Sequence, residues 1–167
     1  MNRIVYMVRR HLPIVPYWFW KIDRMGKRPD QYPEQERYDY LRNIIKTINQ
    51  NGRVTVRGYG EEQLPKENGF ILFPNHQGFF DMLAIIDTCP KPLGVIIKKE
   101  AANWILVKQV LRLLGGISMD RSDIRAAMEV IKEMTRQVKE GKNYVIFPEG
   151  TRSRKGNELL EFKAGTF

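Results

Sequence analysis

The sequence has few of the residues from which disulfide frameworks and zinc sites are built. Its 167 residues include one cysteine, Cys89, and two histidines, His11 and His76. A single cysteine excludes an internal disulfide, and this histidine and cysteine content argues against the usual zinc ligand sets. With 43% hydrophobic and 28% charged residues, the composition is typical of a single globular domain with a real core.

The sequence also lacks a long apolar run. The longest uncharged stretch of the N-terminal third, counting histidine as neutral, is ten residues from His11 to Trp20, and it includes Pro13 and Pro16. A helix that spans a membrane needs about 20 apolar residues, so no transmembrane helix is predicted. A secretory signal is disfavoured because no small-residue cleavage site follows.

The net charge of +9 is concentrated near the N-terminus. Residues 1–57 contain 12 Lys/Arg and 5 Asp/Glu, whereas residues 58–167 contain 16 and 14. The segment MVRRHLPIVPYWFWKIDRMGKR combines this charge with aromatic and aliphatic residues, which suits a segment lying on anionic lipid. Packing of the same segment on its own domain is nearly as well supported. Nucleic-acid binding comes third, because no recognised motif accompanies the charge.

Strand-like and helix-like segments alternate along the rest of the chain. The patterns predict helices over 35–49, 81–89, 102–115 and 122–141, the last capped by Ser122, and strands over 53–59, 69–74, 92–98, 117–119 and 143–148. Such alternation predicts an α/β fold with a mostly parallel sheet flanked by helices. Residues 1–50 are interpreted as an N-terminal helical, membrane-associating appendage, and residues 51–167 as the core.

Polar segments follow three of the predicted strands. They are NHQGFFD at 75–81, KKE at 98–100 and EGTRSR at 149–154. The carboxyl ends of parallel strands meet at one edge of a sheet, where α/β folds bind their ligands. We therefore expect these three segments to form one site.

The first segment pairs a histidine with an acid. On a regular helix His76 and Asp81 would lie about 140° apart, but they can meet if His76 lies in a loop and Asp81 in the first helical turn. Gly78 eases the bend that this requires. A carboxylate on one imidazole nitrogen makes the other a base able to deprotonate an alcohol or water. The alternative interpretation is a loop histidine beside a helix-capping aspartate.

The other two segments are basic. Gly150 exposes backbone amides, and the cations that follow the strands suit an anionic substrate, although each segment alone is equally typical of a solvated turn. These cations are Lys98, Lys99, Arg152, Arg154 and Lys155. No Gly-x-Ser-x-Gly nucleophile elbow occurs, and Cys89 lies at the far end of the helix that starts near Asp81. Direct attack by the substrate's own hydroxyl is thus favoured over an acyl-enzyme route.

Taken together, these segments resemble the conserved blocks of the glycerolipid acyltransferase family. Its Asn-His-x-x-x-x-Asp block (the HX4D motif) is matched at 75–81, and its Phe-Pro-Glu-Gly-Thr-Arg-Ser block at 147–153. The segment KKEAANWILVKQVLRLLGGISMDR resembles the block between them, and FKAGTF resembles the stretch that follows. The resemblance runs from about residue 50 to the end of the sequence.

The resemblance implies that His76 is the general base on the free hydroxyl of lysophosphatidate and that Asp81 orients it. The acyl group would come from acyl-CoA or acyl carrier protein, with no bound cofactor or metal. Arg152, helped by Lys98 or Lys99, would bind the acceptor's phosphate. Glu149, Gly150 and Thr151 would shape the loop, and Glu149 would contact the acceptor's glycerol. The enzyme would act as a peripheral or monotopic protein on the cytoplasmic face of the cell membrane.

Two alternatives stay open at this point. One is an acyltransferase for glycerol-3-phosphate or another lysolipid, because the blocks do not distinguish the acceptors. The other is a non-catalytic, basic membrane-surface module or a fragment, since members of the family usually continue past FKAGTF. By this comparison we expect the core to be incomplete at its C-terminal end and less stable than that of a complete relative.

Overall fold

The computed structural model describes residues 9–153 and 158–163. It contains helices α1 (Val15–Lys27), α2 (Glu34–Asn51), α3 (Phe80–Thr88), α4 (Lys99–Ala102), α5 (Val107–Leu113) and α6 (Ile124–Lys139), with a short 3-10 helix at Glu61–Gln63. Its strands are β1 (Ile71–Leu72), β2 (Gly94–Lys98), β3 (Ile117–Met119) and β4 (Tyr144–Val145). Apart from α4, each helix after β1 corresponds to a helical prediction made from the sequence.

The four strands form one parallel sheet in the order β1-β4-β2-β3. This arrangement confirms the predicted α/β fold with a parallel sheet flanked by helices. It also makes β1, β4 and β2 neighbours, so the three polar segments that follow them leave the same edge of the sheet. β3 has the predicted bounds, and β1, β2 and β4 are shorter than predicted. Hydrogen bonds from the Tyr144 N–H to the Phe70 carbonyl and from the Ile146 N–H to the Leu72 carbonyl extend the β1–β4 pairing.

Helices cover both faces of the sheet. Side chains alternate along a strand, so Val95 and Val145 face one buried cluster while Ile96, Tyr144 and Ile146 face another. The first cluster is closed by α1, α2, α3 and α5, and the second by α6. This three-layer packing explains why the central strands are continuous apolar runs.

The N-terminal helices belong to the first of these clusters. Ile22 and Met25 of α1 and Tyr38 of α2 are buried there together with Leu113 of α5. An ion pair between Arg112 Nη1 and Asp23 Oδ1, at 3.2 Å, joins α5 to α1. Packing on the protein's own domain is thus observed, while the membrane association and the boundary at residue 50 remain predictions. In the parts of the chain described, no helix has both the length and the apolarity needed to cross a bilayer.

Two sequence predictions were wrong in this region of regular structure. The strand predicted over 53–59 does not form: these residues run as a turn and an irregular segment, and β1 pairs only with β4 among the described strands. The helix predicted over 102–115 is broken, and α5 begins only at Val107. Leu106 has a left-handed φ of 74°, and its N–H donates to Gln109 Oε1 at 2.9 Å, which caps the new helix.

The N-cap of α6 is Asp123 rather than the predicted Ser122. The Asp123 side chain accepts a hydrogen bond from the Ala126 N–H at 3.0 Å. The Ser122 hydroxyl instead donates a hydrogen bond to Asp120 Oδ1 at 2.6 Å, and the Ser122 backbone N–H donates to the same oxygen at 3.0 Å. Both residue types cap helices well, so composition alone did not distinguish them.

Candidate active site

His76 and Asp81 meet at the carboxyl end of β1. His76 lies in the loop after the strand and Asp81 in the first turn of α3, with His76 Nδ1 2.8 Å from Asp81 Oδ2. The loop folds back within five residues, as the sequence predicts. The two side chains are 22% and 21% exposed, so the pair is mostly buried but still accessible to solvent.

Asp81 Oδ2 also accepts hydrogen bonds from the backbone of its own loop. The Gln77 N–H lies 2.7 Å away and the Gly78 N–H 2.9 Å away. Partial burial opposes ionisation, but the bonds from Gly78, from the His76 imidazole and from Gln77 outweigh it, so the pKa of Asp81 lies below its ordinary value. Gly78 is not in the left-handed region, so the bend depends on these bonds and not on glycine.

This geometry fixes which nitrogen of His76 carries the proton. An ionised carboxylate only accepts hydrogen bonds, so Nδ1 must be protonated to donate to Asp81. Nε2 is then left with its lone pair. None of the hydrogen bonds found among the described residues occupies it, and it is the atom available as a base.

The segment 147–153 holds His76 from three sides. The Phe147 ring stacks on the imidazole with centroids 4.2 Å apart. The Glu149 carboxylate accepts a hydrogen bond from the backbone N–H of His76 at 2.6 Å. The backbone N–H of Ser153 donates to the His76 carbonyl at 2.7 Å. Gly150 makes the turn between them with a left-handed φ of 68°, which explains glycine at this position.

Glu149 is buried in the loop that the resemblance expects it to shape. Its side chain is 1% exposed, and its second oxygen accepts the Leu160 N–H at 3.1 Å. Because both carboxylate oxygens bind the chain's own backbone, the expected contact with the acceptor's glycerol is not supported by this structure. Its neighbours Gly150 and Thr151 do reach the wall of the adjacent cavity.

The basic residues separate into two groups. Arg152 lies over the Phe79 ring, 4.2 Å from its centroid, and lines the cavity together with Lys98. Lys99 Nζ instead pairs with Asp120 Oδ2 at 3.2 Å, and that pairing occupies it. Lys98 is thus the lysine the structure brings to the site. Arg154 and Lys155 lie outside the described residues.

Arg121 is a further cation of the site that sequence reasoning left without a role. It follows β3, lines the same cavity, and donates through Nη1 to the Gly150 carbonyl. The signal was present in the sequence, because the Asp-Arg pair at 120–121 is a fourth polar segment at a strand's carboxyl end. A parallel sheet brings such a segment to the same edge as the other three.

A cavity of about 1030 Å³ opens beside His76. It extends between the sheet and helices α1, α2, α3 and α5, and most of its wall is aliphatic or aromatic. Apolar residues of the wall include Trp18, Ile22, Leu41, Ile44, Met82 and Val110. Among the polar residues of the wall, His76, Lys98, Arg121 and Arg152 lie at strand ends, whereas His11 precedes α1 and Glu100 belongs to α4. The cavity therefore suits a long apolar group with an anionic, hydroxyl-bearing end.

No candidate metal centre is found within residues 9–153 and 158–163. A group of three or more His, Cys, Asp or Glu side chains placed to share an ion does not occur there.

The family model described as Acyltransferase matches residues 53–167, which include every element from β1 onward and all of the polar segments. The chain belongs to the acyltransferase family. Its fold agrees, because the crystal structure of the 1-acyl-sn-glycerophosphate (LPA) acyltransferase, PlsC, from Thermotoga maritima superposes with a TM-score of 0.70 at 25% identity. That alignment covers 97% of this acyltransferase chain and 66% of the Thermotoga chain.

Alignments with named relatives cover a smaller share of the relative's length than the alignment with the Thermotoga structure does. The 1-acyl-sn-glycerol-3-phosphate acyltransferase of Borreliella burgdorferi is 34% identical over 107 residues, which are 64% of this chain and 42% of that protein. The lyso-ornithine lipid O-acyltransferase of Rhizobium meliloti is 28% identical over 112 residues, 67% of this chain and 37% of that protein. This acyltransferase chain therefore spans less than half the length of these two relatives.

Proposed function

We propose that this chain transfers a fatty acyl group from an acyl thioester to the free hydroxyl of lysophosphatidate, giving phosphatidate for phospholipid synthesis. The observation that carries the proposal is the His76–Asp81 pair, 2.8 Å apart, with His76 in the wall of the 1030 Å³ apolar cavity. A base, nearby cations and an apolar space match an acceptor with a hydroxyl, a phosphate and an acyl chain. Relatives named as acylglycerophosphate acyltransferases support the same assignment.

In the proposed mechanism His76 activates the acceptor directly. Nε2 takes the proton of the hydroxyl as its oxygen attacks the thioester carbonyl carbon, forming a C–O bond and a tetrahedral intermediate. Collapse of the intermediate breaks the C–S bond, and the imidazolium returns the proton to the departing thiolate. Asp81 keeps Nδ1 protonated and stabilises the transient positive charge on the ring.

Cations at the strand ends would bind the acceptor's phosphate. Arg152 is held over Phe79, so its guanidinium is oriented before substrate arrives. Lys98 and Arg121 line the same wall and add positive potential. We assign the lysine role to Lys98 rather than Lys99, because Lys99 already pairs with Asp120.

The acyl thioester is a co-substrate and no cofactor is held between turnovers. Its acyl chain would lie in the cavity against the apolar residues of α1, α2 and α5. Acyl-CoA and acyl carrier protein both present a thioester on the same phosphopantetheine arm, and this wall does not distinguish them. Both donors are cytoplasmic, so we place the protein on the cytoplasmic face of the cell membrane.

Peripheral attachment to that membrane would use apolar side chains around the cavity. Leu12 and Val15 near the start of α1 are 57% and 45% exposed, and Phe79 beside α3 is 70% exposed. The loop before α5 adds Trp104 at 55% and Ile105 at 84%. Exposed aromatic and aliphatic residues beside a basic segment are typical of contact with anionic lipid.

The function is tested by acyl transfer in liposomes. We expect labelled phosphatidate when the protein meets lysophosphatidate and either labelled acyl-CoA or labelled acyl carrier protein. Glycerol-3-phosphate and a lyso-ornithine lipid, which carries no phosphate, are offered in parallel, because the Rhizobium relative is named for that acceptor. Faster transfer to the lyso-ornithine lipid would replace our acceptor, and no transfer to any acceptor would leave a non-catalytic membrane module.

The membrane contact is tested by a matched pair of substitutions. Ile105 and Ile124 are 84% and 76% exposed, but Ile105 lies between two residues of the cavity wall, whereas Ile124 starts α6 on the other face of the sheet. We expect Ile105→Glu to weaken binding to anionic vesicles on the order of tenfold, because an inserted isoleucine is lost. Ile124→Glu should leave vesicle binding unchanged. Equal effects in a co-sedimentation assay would contradict this placement of the membrane surface.

A further inference from the structure

Glu149 is a buried carboxylate whose oxygens both bind backbone N–H groups. Its side chain is 1% exposed. Oε1 accepts a hydrogen bond from the backbone N–H of His76 at 2.6 Å, and Oε2 accepts one from the backbone N–H of Leu160 at 3.1 Å. Burying a carboxylate is costly unless hydrogen bonds compensate it, and bonds to an ionised acceptor are among the stronger ones. The buried Glu149 carboxylate therefore fixes the positions of the two backbone N–H groups that donate to it.

The carboxylate joins three separate segments of the chain. It lies in the turn after β4, holds the loop after β1 through His76, and holds residues 158–163 through Leu160. A second bond, from the Lys163 N–H to the Pro148 carbonyl at 2.9 Å, ties the last of these segments to the same turn. The position of His76 thus depends on a side chain 73 residues away in sequence.

We propose that Glu149 is a positioning residue that fixes the backbone of His76, so that the imidazole stacks on Phe147 and donates to Asp81. The inference rests on the proposed function only in treating His76 as the general base. The Ser153 N–H holds the His76 carbonyl at 2.7 Å, so Glu149 and Ser153 fix the two backbone polar groups of one residue. An error of about 1 Å in such a base can cost on the order of 100-fold in rate.

A glutamine at position 149 removes this function while keeping the size of the side chain. An amide has one acceptor oxygen and one donor group, so it can satisfy either the His76 N–H or the Leu160 N–H but turns a donor toward the other. If Glu149 instead touched the acceptor, its loss would raise the KM for the acceptor and leave His76 in place. The two roles therefore give different signatures.

The chain's two histidines make the test direct. In protein labelled with ¹⁵N-histidine, His76 and His11 give two imidazole signals, and His11, which bonds Asn51, serves as an internal reference. We expect Glu149→Gln to shift the His76 ring protons away from the ring-current field of Phe147 and to broaden its Nδ1–H signal. His11 should stay unchanged. In turnover, kcat should fall about 10- to 100-fold while the KM for lysophosphatidate stays within about twofold.

Asn143→Asp is the matched control. Asn143 is also buried, at 2%, and its amide holds Gly69, Phe70 and Pro92 at the opposite end of β4. This exchange should lower stability without moving the His76 signals, so a shift in both variants would mean a general loss of packing and would overturn the proposal. An unshifted His76 in Glu149→Gln, or a change in KM alone, would also overturn it.

The unsubstituted protein gives a second measurement if Glu149→Gln does not fold. The His76 amide proton should resonate far downfield and exchange slowly, because it donates to a carboxylate at 2.6 Å. An ordinary shift with fast exchange would refute the bond. These spectra need no turnover, so an inactive chain with a fixed His76 would refute the proposed function and leave the role of Glu149 intact.

Discussion

Replacing His76 with alanine is expected to lower kcat for acyl transfer by about 100- to 10,000-fold, the range that a positioned general base contributes. Nε2 is the one imidazole nitrogen left free by the bond to Asp81, and His76 lines the cavity in which the acceptor hydroxyl would lie. Without it, water must take the proton as the C–O bond forms. The measurement is single-turnover transfer of labelled acyl groups to lysophosphatidate, with vesicle binding recorded on the same samples.

Gln77→Ala provides the control for this loss. Gln77 neighbours His76 in the same loop, and its contribution to Asp81 is a backbone N–H that alanine keeps, at 2.7 Å in the structure. The control should keep its rate, and both variants should bind vesicles equally. A His76→Ala protein that retains more than about one-tenth of the rate would contradict the assignment of His76 as the base.

The features of the fold and the site that sequence analysis identified are those with a short-range or periodic cause. The alternation of apolar runs with amphipathic segments predicted a parallel sheet. The rule that ligands bind at the carboxyl ends of strands then predicted that His76, Lys98 and Arg152 lie in one site. The His76–Asp81 contact was predicted from their spacing of five residues and from the start of a helix near Asp81. Each of these inferences needed only the local chain or a rule of topology.

Most of the features that sequence analysis missed depend on contacts between distant parts of the chain, and one depends on the backbone conformation of a single residue. The resemblance gives Glu149 a loop-shaping role and a contact with the acceptor, but nothing in the sequence indicates its 2.6 Å bond to the backbone of His76, 73 positions away. The break before α5 depends on the left-handed backbone of Leu106 in a stretch whose apolar composition favours a continuous helix. Lys98 and Lys99 are adjacent residues of the same type, and only the structure shows that Lys98 lines the cavity while Lys99 pairs with Asp120.

Asp81→Ala is expected to lower kcat on the order of 10,000-fold, as much as losing the base itself, although His76 remains. Without the carboxylate, Nδ1 has no acceptor at this position, so the imidazole is free to take the tautomer protonated on Nε2, which has no lone pair for the acceptor hydroxyl, and no negative charge stabilises the imidazolium. The KM for lysophosphatidate should change little, since Asp81 binds only its own loop and His76. A normal rate in this variant would mean that another group sets the tautomer.

The same substitution predicts a pH dependence of stability whose sign follows from the lowered pKa of Asp81. The folded state favours the ionised carboxylate through the bonds from Gly78, His76 and Gln77, against the opposing effect of partial burial. Its stabilising contribution is therefore complete above the pKa of an unfolded aspartate, about 4, and is lost as the pH falls through the lower folded value. In urea unfolding, the gap between the two proteins should be constant from about pH 7 to 5 and narrow below about pH 4. A gap that stays constant into acid would mean that ionised Asp81 does not stabilise the loop, and the tautomer argument for His76 would then lose its basis.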